Sequence, residues 1–205
     1  MMRLYRANFS TNAERVALAL AHKGIEVEST YISYEDRSEV ERVSGQPLVP
    51  VLVHDDNVVT DSMQIIGYLE QLVPSAPLYP SDEARFAEML IFIDWFNRVW
   101  KLAPNRIEAE LALDEPDHML ITRLGREMVA ALDGFEQLLT GRQFLFGAEF
   151  SAADCAAFPF LKYALGRAPA DNEPFHQVVD DYQQLEQEHF RLRSWIKRVD
   201  ALPRA

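Results

Sequence analysis

Ser10 stands at the junction of a strand candidate over residues 4–7 and a helix-favouring segment over residues 13–23, within the run Phe9, Ser10, Thr11, Asn12. Backbone N–H groups and the helix dipole favour negative charge at such a junction. A thiolate held there gains a hydrogen bond from the Ser10 hydroxyl as well as the dipole, and both lower the pKa of the thiol. Thr11 and Asn12 are fallback donors, and Tyr5 is a rival hydroxyl whose place inside the strand suits a core role. On the residues alone, the plainer reading of Ser10 is a helix N-cap with no catalytic part. Asp61 and Ser62 form a second cap, ahead of Met63, Ile65, Ile66, Leu69 and Leu72 at helical spacing. That helix N-terminus can hold a ligand carboxylate through its N–H groups and the Ser62 hydroxyl. Arg15 reads as structural.

Other chemistries are disfavoured by what the chain contains. Cys155 is the single cysteine, so neither an internal disulfide nor a cysteine-based zinc site is open to it, and it reads as a small buried residue. The five histidines never fall at i, i+4, so a helical metal pair is absent and no metal is expected. A net charge of −12 disfavours nucleic acid and anionic membrane surfaces as partners. No apolar run reaches the length of about 18 residues that a membrane span requires. The first residues lack the pattern of a signal peptide, so a cytoplasmic location is expected.

The elements that must position these residues come in the order β-α-β-α-β-β-α over residues 1–76. The two strands of a hairpin, Val51 to Val53 and Val58 to Val59, flank a polar tip, and a helix over residues 62–72 follows. Alternating strands and helices imply a mixed sheet covered on its faces, the thioredoxin-like pattern. Prolines at 74, 77 and 80 mark the end of this region. A linker is placed at 77–82, and residues 83–205 read as an all-helical domain of about five helices. One helix is expected over 84–102, kinked or ended by Pro104, with Pro116 in the first turn of a later helix that stops near Gly141. Ser151 and Asp154 form an acidic capping box, with Phe150 stapling onto Cys155. Trp95 and Trp100 fall on nearly opposite sides of one helix, so one of them is available to a cleft or a dimer surface.

Val49-Pro50-Val51-Leu52, the hairpin, Asp61-Ser62 and Ile65-x-x-Tyr68-Leu69 together resemble the glutathione-binding half of the glutathione S-transferase family. Counted back from Arg15-Val16, the segment from Phe9 resembles the Ser-Ser-Cys or Cys-Pro-x-Cys segment of serine- and cysteine-type members. Ser151-x-Ala153-Asp154 resembles the capping box of that family's buried helix. The resemblance implies a cis Val49–Pro50 bond, Val49 pairing its backbone with the cysteine of glutathione, Asp61 and Ser62 holding the γ-glutamyl end, and Ser10 in the catalytic position. It implies a homodimer that joins glutathione, as thiol co-substrate, to a small hydrophobic electrophile bound against the helical domain. The chain departs from the pattern at Thr11 and Asn12, and without a cysteine in this register a dithiol reaction is ruled out. The alternatives are a non-catalytic binding or regulatory protein, a glutathione-dependent isomerase or dehalogenase, and use of another thiol.

Overall fold

The structure, a computed structural model, describes residues 1–205. It divides into one compact unit of Met1–Pro80 together with Leu202–Ala205, and a second of Ser81–Ala201.

The first unit runs β1 (Met2–Arg6), α1 (Thr11–His22), β2 (Glu28–Tyr31), α2 (Ser38–Ser44), β3 (Val51–His54), β4 (Asn57–Thr60) and α3 (Ser62–Leu72). Its four-stranded sheet has the order β2-β1-β3-β4, with β1 parallel to β2 and the other pairs antiparallel. This is the expected thioredoxin-like topology. Adjacent residues of a strand face opposite sides, and in β1 both Leu4 and Tyr5 are buried, so the sheet is covered on both faces. Tyr5 packs with Ile32, Val40 and Val51. Its ring is therefore part of the core. On the other face Leu4 lies opposite Leu52, while α1 and α3 bury Val16, Leu20, Ile65, Ile66 and Leu69. Gly45, at φ 75°, ends α2.

Two further sets of contacts complete this unit. The buried Lys23 ammonium lies 2.7 Å from Glu70 Oε2 and donates to Val73 O at 2.8 Å, which fixes the chain as it leaves α3. Leu202–Ala205 returns to α1: Ala205 N–H donates to Ala17 O at 3.1 Å, and Arg204 pairs with Glu14 at 3.1 Å.

The second unit holds α4 (Glu83–Trp95), α5 (Leu102–Leu111), α6 (His118–Leu138), α7 (Ala152–Leu161), α8 (Pro174–Asp181) and α9 (Phe190–Asp200). It therefore has six α-helices where about five were expected. The single helix expected over 84–102 instead widens into a π-helical turn at Phe96–Trp100. There Phe96 stacks on Trp100 at 4.5 Å, with Phe135 and Phe160 edge-on to both rings. Pro104 does not end a helix; it lies in the first turn of α5, where a missing N–H goes unnoticed. Pro116 is not in the first turn of its helix as expected; it precedes Asp117, which supplies the cap of α6. Trp100 is buried and Trp95 is 37% exposed. Every residue of α7 is buried, with the Ser151–Asp154 capping box at its start. No helix is long and apolar enough to cross a membrane.

Candidate functional site

Strand register brings the three segments singled out by sequence to one end of the sheet. Tyr5 lies opposite Val51, and Val51 opposite Thr60. From that row the chain leaves β1 toward Ser10, enters β3 through Val49 and Pro50, and leaves β4 into Asp61 and Ser62. Both α1 and α3 begin at this end, so their positive dipole ends share it. Open α/β sheets take ligands beyond the carboxyl ends of their strands, and β1, β2 and β4 all end here.

Ser10 is reached through a turn from Ala7, closed by Ser10 N–H to Ala7 O at 3.3 Å, with Phe9 at φ 59°. The Ser10 oxygen caps α1 by accepting the Ala13 N–H at 3.2 Å. A hydroxyl has one proton beside its acceptor lone pairs, so capping leaves that proton for a ligand. The cap and a catalytic part are therefore compatible at one atom. Thr11 is buried and Asn12 half-buried.

The Val49–Pro50 peptide is cis. Gln46 brackets the residue before it, its Oε1 accepting the Leu48 N–H at 2.7 Å and its Nε2 donating to Leu48 O at 2.9 Å. Val49 itself pairs neither its N–H nor its C=O with any group of the chain. Val49 is half-buried, so both groups are open to a ligand or to water.

Asp61 has φ 66° and ψ 127°, outside the regions that non-glycine residues favour. Its Oδ1 accepts the Met63 N–H at 2.9 Å and the Gln64 N–H at 3.1 Å. Oδ2 takes no hydrogen bond from the chain, and the residue is exposed. Ser62 is buried, and Arg15 Nη1 donates to its Oγ at 3.3 Å. Arg15 is buried too.

Three residues that bracket these segments escaped the sequence reading. Besides Gln46, Tyr34 donates its hydroxyl to Asn8 O at 2.9 Å, and the Arg37 guanidinium lies over the Tyr34 ring at 4.6 Å. Between them, the Ser38 hydroxyl and N–H hold the Asp36 carboxyl below its usual range. No group of three or more His, Cys, Asp or Glu side chains is arranged to hold a metal ion.

Residues 4–77 match the family model for the glutathione S-transferase N-terminal domain, and residues 119–198 the one for the C-terminal domain. Glutathione S-transferase 1 of Dianthus caryophyllus is 30% identical over 206 residues, covering 94% of this chain and 90% of its own. Among solved structures, rice GST1 in complex with glutathione superposes with a TM-score of 0.77 at 23% identity, over 98% of this chain and 86% of that one. Beta-etherase LigF from Sphingobium sp. strain SYK-6 superposes with a TM-score of 0.78 at 21% identity, over 98% and 95%. At those identities the structural likeness speaks to the fold.

Proposed function

Because the chain belongs to the glutathione S-transferase family, we propose that it binds glutathione at the strand ends of its first unit and activates the thiol for attack on a small apolar electrophile. Val49 would pair its N–H and C=O with the cysteine residue of glutathione, as a short strand would. The Ser62 hydroxyl and N–H would take the γ-glutamyl carboxylate, and Asp61 Oδ2 its ammonium. The sulfur would lie at the start of α1, with the Ser10 hydroxyl donating to the thiolate. That bond and the α1 dipole stabilise the anion over the thiol. The thiolate then forms a carbon–sulfur bond, and the electrophile's leaving group or electron pair takes up the displaced charge. Holding the thiolate in place supplies the remaining advantage. A homodimer and a cytoplasmic location belong to the same reading.

One observation carries it: Val49 presents an unpaired N–H and C=O beside two helix N-termini, one with a hydroxyl proton to give and the other with a carboxylate oxygen to spare. Ser10→Ala tests the chemistry. Removing one donor from a developing or stabilised anion costs a rate factor of about 10²–10³, so turnover should fall by that order while glutathione affinity stays close to native. An unchanged rate rules out Ser10.

A further inference from the structure

The turn that delivers Ser10 is held in a form its own residues disfavour. Ala7 to Ser10 is a four-residue turn, and of its two central residues only Phe9 has a positive φ, 59°. That is the type II pattern, which calls for glycine or asparagine at the third position. With phenylalanine there, the ordinary type I turn is the less strained alternative. The two forms differ by a flip of the middle peptide, here Asn8–Phe9. The oxygen of that peptide is Asn8 O, the atom to which Tyr34 donates its hydroxyl at 2.9 Å.

Tyr34 is braced in turn. The Arg37 guanidinium covers its ring at 4.6 Å, Nε donates to Tyr34 O at 3.4 Å, and Nη1 donates to Pro47 O at 3.4 Å. One loop thus ties the turn before Ser10 to the segment entering Val49 and Pro50. We propose that Tyr34 is a positioning residue for Ser10: its hydroxyl locks the Asn8–Phe9 peptide and so aims the Ser10 hydroxyl at the thiolate. Without the lock the peptide flips, Phe9 relaxes to negative φ, and the residue that follows it is displaced. The inference rests on the reading of Ser10 given under Proposed function.

The test follows the ultraviolet absorbance of thiolate in bound reduced glutathione against pH, for the full chain and for Tyr34→Phe, Ser10→Ala and the double variant. Tyr34→Phe should raise the apparent pKa of the bound thiol by about one unit, a tenfold fall in the thiolate-to-thiol ratio at a given pH. Glutathione affinity and the thermal midpoint should stay near native, since Tyr34 is 42% exposed and the ring is kept. In the Ser10→Ala background Tyr34→Phe should add nothing, because a residue acting through another loses its effect once that residue is gone. A Tyr34→Phe curve that overlays the native one overturns the inference, as does an equal shift in both backgrounds. If Ser10→Ala itself leaves the native curve in place, the reading of Ser10 fails and the inference falls with it.

Discussion

Arg15 Nη1 lies 3.3 Å from Ser62 Oγ, and both side chains are buried. The bond links α1 to α3 close to the ends where each helix meets the candidate site. Arg15→Met keeps the apolar stem and removes the guanidinium. It should cost about 1.5–3 kcal/mol, the range for hydrogen bonds to charged groups. Denaturant unfolding would show a lower midpoint with an unchanged slope. Arg15→Lys should not restore the loss in full, because an ammonium lacks the planar fork.

Lys23 should matter more, at the opposite ends of the same helices. Its ammonium is buried against Glu70 and the carbonyls of Val73, Ser75 and Ala76, and Glu70 Oε2 also accepts the Leu78 N–H at 3.1 Å. Lys23→Met strands a mostly buried carboxylate, a change that costs about 3–5 kcal/mol. Lys23→Met combined with Glu70→Gln should recover part of that, and a double-mutant cycle in urea measures how much.

Asp154 anchors the second unit through four donors. Oδ1 accepts from Leu145 N–H and Trp195 Nε1, and Oδ2 from the N–H and hydroxyl of Ser151. Asp154→Ala leaves all four without an acceptor and should cost about 3–5 kcal/mol. Burial pushes the Asp154 carboxyl up in pKa, against the pull of those hydrogen bonds. The folded chain then holds this proton more tightly than the unfolded chain does. The resulting stability is complete below the unfolded pKa and is lost as pH rises through the folded value. Relative to Asp154→Asn, native stability should therefore decline across that window and level off above it, as unfolding at a series of pH values would show.

Gly125 owes its identity to close packing. A Cβ there would stand 2.4 Å from Cδ1 and 2.5 Å from Cε1 of Tyr182. Gly125→Ala should therefore destabilise by about 1–3 kcal/mol despite alanine's better helix propensity. Adding Tyr182→Ala should bring the thermal midpoint partway back toward that of Tyr182→Ala alone.

What could be read from the sequence was local. The hairpin and α3 follow from short valine runs, turn residues at 54–57 and an Asp-Ser cap, all within 20 residues or so of one another. Ser10 was legible for the same reason, since an N-cap is a neighbour effect. The π-helical turn at Phe96–Trp100 was not, because it accompanies rings brought in from α6 and α7. Nor was the bracing of the site: Arg15 to Ser62 spans 47 residues and Tyr34 to Asn8 spans 26, and neither pair leaves a periodic trace. The return of Leu202–Ala205 to α1 is hidden in the same way, carried by backbone and salt-bridge contacts across most of the chain.

The most direct measurement is calorimetric titration of the full chain with reduced glutathione, beside Asp61→Asn. Asparagine caps a helix as well as aspartate does, so this variant keeps α3 intact and removes only the charge. The native chain should show saturable one-site binding, weakened about tenfold in Asp61→Asn, a difference of about 1.4 kcal/mol. No heat of binding in the native chain, or equal affinity in the two, would contradict glutathione recognition at this end of the sheet.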